Sequence, residues 1–518
     1  MDSSTLWAKD FSYPPRKGNE LDILIDGQAA YAEIAEAFKT AKRFIYLTIS
    51  FGTEDFMPVP DTGEILFDIL RARQNDGVDV RMVIWQPENK TQDTIPDPSP
   101  GKISGVNEGV GSILARWDHA KGYYGWYRSP HNHFEPFYLT FPAKLGCHHQ
   151  KTYVMDDGNG GYLAFVGGIN PVQAYWDTTR HDLLDVGRVE KGKDLLKGLE
   201  DVPPLHDIFY KIKGPAVADV LANFVERYNG ASIPHKDDTI DAVSPVTAGQ
   251  IPEIPNGIEV QVLRTIAPDT YPNLPDGDRG IRELYLNALG AAGEGDLVYI
   301  ENQYFFDHGI VSEIHEAAER GAKVIIVLTS SPDEGLFQGE VESILEKIAG
   351  YEATFQILSG HANVGIFTLG NYVPDPRSDG KNIISETYIH SKTMAIIGKD
   401  GAIMTGGSGN IAFTSMWFHS EMNVAFIDPD KIKSWVGRLW AEHLGKLEDE
   451  AAALIANPED ALNAFRVQAK GNKITLEDLS TPMGHVFEWG EDTKFPPRNL
   501  ARIDLDAVLA EKVTVAKA

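Results

Sequence analysis

Residues 146–170 read GCHHQKTYVMDDGNGGYLAFVGGIN, and the organisation of the whole chain follows from them. His149 and Lys151 stand two positions apart, so both side chains leave the same face of an extended strand. A turn and a second apolar run come next, and the stretch ends in Gly168 and Asn170. A single His-x-Lys pair is common at surface strand ends and by itself indicates no chemistry.

The same arrangement returns at residues 388–410, which read YIHSKTMAIIGKDGAIMTGGSGN. His390 and Lys392 repeat the spacing, and Ser408 and Asn410 repeat the ending. Two copies of one strand–turn–strand pattern, with His, Lys and Asn at matching places, are not expected by chance. We interpret them as two halves of one active site.

The composition is that of an acidic globular protein. The chain has 518 residues, 75 acidic and 47 basic side chains, and a formal net charge of −28. This length allows two to four domains and a sizeable buried core. A surface that follows a nucleic-acid backbone is normally basic, so the charge argues against nucleic acid as a partner.

The cysteine count and the hydropathy pattern exclude further classes. Cys147 is the only cysteine, so an internal disulfide framework is excluded, and we expect this residue to pack in the core. No run approaches the length of a transmembrane span, and the N-terminal residues lack the apolar core of a signal peptide. We expect a soluble monomer. Its location stays open between the cytoplasm and export, with a signal removed or by a route that needs none.

Helical and strand patterns alternate along the chain, and the same order occurs twice. Tyr31, Ile34, Ala35 and Phe38 recur at helical spacing, and an apolar strand run follows them. The pattern restarts after a Pro-punctuated linker, which indicates an internal duplication. We therefore predict an α/β fold of two duplicated lobes with mostly parallel sheets. The predicted segments are a lead-in at 1–20, a first lobe at 21–229, a linker at 230–257, a second lobe at 258–450 and a C-terminal extension at 451–518.

The repeated residues form a complete set for phosphoryl transfer without a metal or another cofactor. One neutral imidazole can attack phosphorus, while a second, protonated imidazole can protonate the leaving oxygen. Two lysines and two asparagines can donate hydrogen bonds to the nonbridging oxygens. The glycines leave room for a phosphate to approach the backbone.

Each imidazole also requires a carboxylate that orients it and determines its tautomer. In the first half Asp185 is the candidate, with Asp182 and Asp177 as alternatives. In the second half Glu421, inside SEMNV, is the nearby acid in a strand setting. A role as a solvated turn residue is the alternative for each of these acids.

The insertion at 88–145 is irregular and rich in aromatic residues. We predict that it forms a substrate-facing wall, with ordinary loop packing as the alternative. The aromatic candidates for substrate binding are Trp126, Tyr127, Trp176 and Tyr388.

These motifs resemble those of the phospholipase D superfamily, which have the form HxKxxxxD followed by Gly-Gly or Gly-Ser and Asn. The first unit matches as His149, Lys151 and Asp156, and HHQKTYVMDD and FVGGIN are most similar to the eukaryotic-type catalytic core. Further matches are ENQYF at 301–305, HDIFYKIKGPAV at 206–217 and HSK at 390–392. The resemblance covers roughly residues 20–450.

The resemblance implies two α/β/α-sandwich lobes that pack about a pseudo-twofold axis, with both motifs at the interface. It implies that His149 is the nucleophile that forms a phosphohistidine, and that His390 is first the acid and then the base that activates water. The residues implied to hold the phosphate are Lys151, Lys392, Asn170 and Asn410, supported by Asp156, Gly168 and Ser408. The implied reaction converts a phosphatidylcholine-like phospholipid at a membrane or micelle surface to phosphatidic acid and free headgroup, and alcohols can replace water.

One position departs from the family pattern. The Asp of the second motif would fall at Ile397, and the nearest acid is Asp400, in a longer turn. Strand alternation turns position 397 away from His390, so an Asp there is expected to serve structure. The alternatives to the leading hypothesis are a phosphatidyl transferase, a phosphodiesterase acting on another headgroup or a soluble diester, and a catalytically weak lipid-binding homologue.

Overall fold

The computed structural model describes residues 3–85, 102–103, 114–118, 147–190, 192–231, 243–244, 246–268, 270–271, 274–330, 357–375, 378, 380–399, 401–489 and 495. Three residues named above, Trp126, Tyr127 and Asp400, lie outside the described residues, as does most of the insertion at 88–145.

One series of elements occurs twice along the chain. The strands of the first half are β1 (Arg16–Ile25), β2 (Phe44–Ile49), β3 (Gly52–Thr53), β4 (Asp79–Trp85), β5 (Lys102–Ile103), β6 (Leu114–Asp118), β7 (Lys151–Asp156), β8 (Tyr162–Gly167), β9 (Leu205–His206) and β10 (Ile208–Lys213). Those of the second half are β11 (Ile258–Ile266), β12 (Asp278–Arg279), β13 (Leu297–Asn302), β14 (Phe305–Phe306), β15 (Lys323–Leu328), β16 (Val364–Pro374), β17 (Asn382–Ile389), β18 (Lys392–Gly398), β19 (Gly401–Gly407), β20 (Ile411–Ala412), β21 (Glu421–Ile427) and β22 (Val486–Glu488). The α-helices are α1 (Ser3–Leu6), α2 (Asp26–Thr40), α3 (Leu66–Asn75), α4 (Leu195–Asp201), α5 (Val217–Gly230), α6 (Gly280–Ala291), α7 (His308–Glu319), α8 (Phe413–Trp417), α9 (Pro429–Leu444), α10 (Glu448–Ile455) and α11 (Pro458–Asp478).

Each half builds a mixed sheet with the same strand order. The first sheet runs β6-β4-β2-β7-β8-β10-β1 and the second runs β16-β15-β13-β18-β19-β21-β11. The first three strands of each order are parallel, and every later neighbour is antiparallel. The α/β duplication is confirmed, but the prediction of mostly parallel sheets is wrong. Short turns join β7 to β8 and β18 to β19, and a short turn can join only antiparallel neighbours.

Helices cover both sheets. The apolar face predicted for the first helix is confirmed, because Tyr31, Ile34, Ala35 and Phe38 are buried on α2. Packing of α2 and α3 closes the outer face of the first sheet, and α6 and α7 close the outer face of the second. Between the sheets lies a shared hydrophobic core that contains α5 and α9. Each lobe is therefore an α/β/α sandwich.

The two lobes meet through reciprocal backbone contacts. Antiparallel pairing of β1 with β11 joins the sheets at their edges. His148, beside the first motif, forms a parallel bridge with Ser420 of the second half. Ile389, beside the second motif, pairs in the same way with His206 of the first half. Contacts that are exchanged in both directions are the signature of a twofold relation, here between two halves of one chain.

The N-terminal segment packs against the second lobe before β1 joins the first. Leu6 and Trp7 are 2% and 6% exposed within the core under α6. Glu283 on α6 accepts hydrogen bonds from the backbone amides of Lys9 and Asp10. The predicted lead-in thus spans both lobes.

We expect Trp7→Ala to lower the free energy of unfolding by about 3–5 kcal/mol, because it leaves a large cavity in the second core. Leu447→Ala is the matched control, since Leu447 is 73% exposed and its truncation should cost less than about 0.5 kcal/mol. Urea denaturation of both variants measures the difference. Equal stabilities would show that the segment does not belong to the second core.

The C-terminal extension adds structure to the second lobe. There, β22 pairs antiparallel with β16, and Phe465 of α11 packs into the shared core. Among the described residues, no helix has both the length and the apolarity that a membrane span requires.

Candidate active site

The two motifs lie at corresponding strand starts and face each other across the lobe interface. Lys151 is the first residue of β7 and Lys392 the first of β18, each two positions after its histidine. The backbone amide of His149 donates to Ser420 O at 3.0 Å, and that of His390 donates to His206 O at 2.8 Å. Each histidine is therefore held against a strand end of the opposite lobe.

His149 contacts a buried carboxylate. Its Nδ1 lies 2.9 Å from both carboxylate oxygens of Glu421, and Ser408 Oγ donates to Glu421 Oε2 at 2.6 Å. Although burial opposes the charge, the His149 and His419 imidazoles hold the pKa of Glu421 well below its usual range. An ionised carboxylate only accepts, so Nδ1 carries the proton and Nε2 keeps its lone pair. Burial also lowers the pKa of His149 to about 3, so the ring is neutral at physiological pH.

His390 has an equivalent partner in the other lobe. Its Nδ1 lies 2.6 Å from Asp207 Oδ2. A Cβ on Gly168 would lie 2.4 Å from that same oxygen, so glycine is required there for the close approach of Asp207. In the second half Ser408 takes the place of Gly168 and hydrogen-bonds to Glu421 instead. Burial raises the pKa of Asp207 to about 7, in contrast to the lowered pKa of Glu421.

The orienting acids are exchanged between the lobes. Glu421 of the second half contacts His149 of the first, and Asp207 of the first contacts His390 of the second. The reason is the pair of backbone bridges, since each bridge places the residue that follows it beside the opposite histidine. Neither histidine uses an acid from its own half among these contacts.

The prediction of Asp185 as an orienting acid is wrong. Its carboxylate accepts from the backbone amide of Gly187 and caps a short 3₁₀ turn. Asp177 hydrogen-bonds to His181 and Arg188, and Asp182 pairs with an exposed arginine. A signal for the missed Asp207 existed: it stands directly before an apolar strand run, as Glu421 does at the start of the run MNVAFI.

The two lysines are buried and close to each other. Lys151 Nζ donates to His149 O at 2.8 Å, and Lys392 Nζ donates to Gln303 Oε1 at 3.0 Å. Burial lowers the pKa of Lys151 to about 7, with Glu421 opposing and Lys392 reinforcing the shift. Burial likewise lowers the pKa of Lys392 to about 8. A bound oxyanion would place further negative charge beside both ammonium groups and so stabilise their protonated form.

We expect a phosphate-like oxyanion such as tungstate to bind more weakly as the pH rises through these two pKa values. Each lysine that loses its proton loses a charge-assisted hydrogen bond, so affinity should fall about tenfold or more between pH 6.5 and pH 9. Calorimetric titrations in buffers of different ionisation enthalpy should also show proton uptake near pH 8. Lys151→Gln should flatten the pH dependence. Affinity that is constant over this range would contradict the expectation.

Asn170 and Asn410 occupy matching places after β8 and β19. The backbone carbonyl oxygen of Asn170 accepts a hydrogen bond from Val172 N at 2.8 Å, and that of Asn410 accepts one from Ala412 N at 2.7 Å. Asn170 Oδ1 also accepts from Ser50 N at 3.2 Å. Both side chains are buried beside the lysines' strands, which is the setting in which an amide can donate to a phosphate oxygen.

Asp156 lies at the far end of β7 from Lys151. Its carboxylate accepts backbone hydrogen bonds from Lys42, Arg43 and Phe44 and ties the start of β2 to β7. Ile397 takes the matching place on β18, where it is 3% exposed and opposite Leu297. An apolar side chain packs there instead of a hydrogen-bonding one.

The aromatic candidates separate into two groups. Trp176 is not at the site: it is 5% exposed in the core of the first lobe, and its indole donates to Pro58 O at 3.1 Å. Tyr388 is near the site, where its hydroxyl accepts from Gln303 and its ring centroid lies 6.4 Å from that of His390. Tyr175, which was not predicted from the sequence, also lies near the site, with its ring centroid 5.2 Å from that of His390. It adjoins Trp176 in the same aromatic pair of the sequence.

Behind His390, four described side chains could hold a divalent cation: Asp26, His181, His206 and Glu442. Their donor atoms all lie within 4.8 Å of one another. Asp26 Oδ2 and Glu442 Oε2 are buried and have no hydrogen-bond partner among the described residues, whereas His206 Nδ1 lies 3.0 Å from Asp26 Oδ1 and 3.1 Å from Glu442 Oε1. Imidazole and carboxylate donors suit such ions, so the residues fit a metal.

The outer ring nitrogens of the two histidines are also occupied. His181 Nδ1 lies 3.0 Å from Asp177 and His206 Nε2 lies 3.0 Å from Glu301, as is usual for metal-binding histidines. The same cluster can instead hold protonated rings: although burial opposes the charge, Asp26 and the other carboxylates raise the pKa of His181 to about 10. The absence of a metal from the reaction itself stays a prediction.

Comparison with known proteins identifies the family. The model of the family described as phospholipase D matches residues 37–328, which is more than half of the chain. The chain belongs to the phospholipase D family. The suspected family resemblance is therefore confirmed, and the duplicated lobes are those of the phospholipase D fold.

This phospholipase D family member is similar to several curated proteins. It is 23% identical to phospholipase D beta 1 of Arabidopsis thaliana, over 88% of this chain and 52% of that protein. It is 24% identical to phospholipase D A of Dictyostelium discoideum, over 84% of this chain and 36% of that protein. It is 25% identical to phospholipase D alpha 2 of Oryza sativa subsp. japonica, over 86% and 66%. The chain thus spans about a third to two thirds of the length of these relatives.

Solved structures are more distant. A phosphatidylserine synthase from Haemophilus influenzae Rd KW20 aligns over 91% of this chain and 98% of its own, with 14% identity and a TM-score of 0.47. A polyphosphate kinase from Porphyromonas gingivalis aligns over 82% of this chain and 50% of its own, with 9% identity and a TM-score of 0.42.

Proposed function

We propose that this protein is a phosphodiesterase of the phospholipase D type that hydrolyses phosphatidylcholine-like phospholipids. The products are phosphatidic acid and the free headgroup, and the reaction passes through a phosphohistidine. One observation carries the proposal: two histidines with exchanged buried carboxylates lie with two buried lysines at a single lobe interface. Family membership and the curated relatives support the choice of a phospholipid as the substrate.

In the first step His149 Nε2 attacks phosphorus, and the bond from phosphorus to the headgroup oxygen breaks. His390 gives its proton to that oxygen, so the headgroup leaves as an alcohol and not as an alkoxide. The proton on His149 Nδ1 remains hydrogen-bonded to Glu421, and this carboxylate stabilises the positive charge that develops on the ring. Lys151 and Lys392 compensate the charge on the nonbridging oxygens.

In the second step a water enters where the headgroup left. His390, now neutral, takes a proton from the water, and the resulting hydroxide attacks phosphorus as the bond to His149 breaks. The enzyme returns to its starting protonation state and phosphatidic acid departs. An alcohol can follow the same path as water, which gives transphosphatidylation.

The first experiment is choline release from phosphatidylcholine micelles, with and without ethanol. We expect choline release in both cases and phosphatidylethanol only when ethanol is present, because the covalent intermediate partitions between the two acceptors. Release of choline without any phosphatidylethanol would argue against a long-lived intermediate. Lack of choline release would move the search to other lipid headgroups and soluble glycerophosphodiesters.

A further inference from the structure

A third imidazole, His419, lies beside the carboxylate that orients His149. It stands in the turn between α8 and β21, two residues before Glu421, and its side chain is 18% exposed. Its Nδ1 is 3.5 Å from Glu421 Oε1 and 3.4 Å from Ser415 Oγ, and the Cys147 side chain hydrogen-bonds to it. The ring centroids of His419 and His149 are 6.0 Å apart. Glu421 therefore lies between two imidazoles.

The pseudo-twofold relation provides an internal comparison. Ser420 bridges His148 just as His206 pairs with Ile389, so the place of His419 corresponds to that of Leu205. Leu205 is a buried aliphatic side chain that pairs with Tyr388, whereas His419 pairs with Cys147. Only the lobe interface that serves His149 has an imidazole at this place. The two interfaces also differ at Ser408, which takes the place of Gly168.

We propose that His419 is a positioning residue that keeps Glu421 ionised and directed at His149, and thereby keeps the attacking Nε2 of His149 free of a proton. A protonated His419 neutralises part of the charge of Glu421 without competing for the His149 Nδ1 proton. Its positive charge also disfavours protonation of His149, so Nε2 keeps the lone pair that attacks phosphorus. The other half has the aliphatic Leu205 at the corresponding place, although His206 acts on Asp207 there, and burial, Lys392 and Lys151 lower the pKa of His390 as well.

The charged groups around both rings agree with this assignment. His419 faces Glu421 from β21 and Cys147 from the segment before β7; although burial opposes the charge, these two groups raise its pKa to about 10. His149 faces Glu421, Lys151 and His419; burial, Lys151 and His419 lower its pKa, and Glu421 opposes them. Lys392 lowers the pKa of Lys151, and Glu421 in turn raises the pKa of Lys392.

This inference rests on the proposed function, so its test has a readout that does not need turnover. Diethyl pyrocarbonate modifies neutral imidazoles, and tandem mass spectrometry of the peptide can follow the modification of His149 as a function of pH. In His419→Leu, which introduces the residue type found at position 205, we expect the midpoint of His149 modification to rise by about one pH unit. This is the effect of removing one charge at this separation in a partly screened site. The acid limb of kcat/KM should rise by the same amount.

Two further variants separate charge from packing. His419→Gln keeps a hydrogen-bond donor for Glu421 but removes the charge. Its plateau kcat should therefore be closer to that of the wild type than the plateau kcat of His419→Leu, while the acid limb of its kcat/KM profile should stay shifted. His315→Leu is the matched control, because His315 also lies near a glutamate but on the surface, and it should change neither readout. If His419→Leu does not fold, His419→Gln alone decides, through the midpoint of His149 modification.

The outcomes distinguish the two proposals. An unchanged His149 midpoint in both His419 variants overturns the role of His419, whatever happens to activity. Loss of activity with an unchanged midpoint and a lower melting temperature overturns it as well, in favour of a packing role. If the wild-type protein cleaves no phosphodiester, the proposed function fails, while the modification experiment still reports whether His419 controls the protonation of His149.

Discussion

His149→Asn is expected to abolish both turnover and covalent labelling by substrate phosphate, whereas His390→Asn is expected to let label accumulate. The first variant removes the nitrogen that attacks phosphorus, so activity should fall by at least about 10³-fold. The second keeps that nitrogen but removes the base that activates water, so the phosphohistidine forms with an activated leaving group and then persists. Labelling with a radioactive phosphodiester, followed by acid and base treatment of the labelled protein, measures both effects.

Asparagine is close to histidine in size and polarity, so we expect both variants to fold and a loss of label to report on the chemistry. Gel filtration and thermal melting check this for each variant. Equal labelling of the two variants would reverse or remove the assigned roles. A label on His390 in the His149 variant would show that the two histidines are interchangeable as nucleophiles.

Glu421→Gln and Asp207→Asn are expected to lower kcat on the order of 10³-fold, since each removes the carboxylate that orients its histidine. An amide can donate to Nδ1 and stabilise the wrong tautomer, which puts the proton on the nitrogen that must react. Both acids are fully buried, and both contact a histidine of the opposite half. The measurement is steady-state kinetics on a soluble phosphodiester, which avoids effects of lipid surface binding.

Asp185→Asn is the matched control for these two variants. Asp185 lies in the first half, as Asp207 does, but it caps a 3₁₀ turn, and asparagine caps as well as aspartate does. Its activity should stay within about twofold of the wild type. A large loss in Asp185→Asn with little loss in Asp207→Asn would restore the interpretation made from the sequence and contradict the exchange of acids between lobes.

Local sequence was sufficient for much of this protein. The His-x-Lys spacing placed both side chains on one strand face, and the Gly and Asn endings placed the amides after the next strand. The apolar spacing of Tyr31, Ile34, Ala35 and Phe38 predicted α2 correctly. These features depend on residues within one element or one hairpin, where the helical and strand periodicities act directly. Duplication was visible for the same reason, since it repeats local patterns.

The acids that pair with the two histidines could not be predicted from local sequence. His149 and Glu421 are 272 positions apart, and His390 and Asp207 are 183 apart. Periodicity carries no information at such separations, and local sequence therefore predicted an acid from its own half for each histidine and a place at the substrate for Trp176. Only the pairing of His148 with Ser420 and of Ile389 with His206 across the interface brings each acid to the opposite histidine. The same pairing places His419 beside one histidine and Leu205 near the other, which is how two matching motifs come to have unequal surroundings.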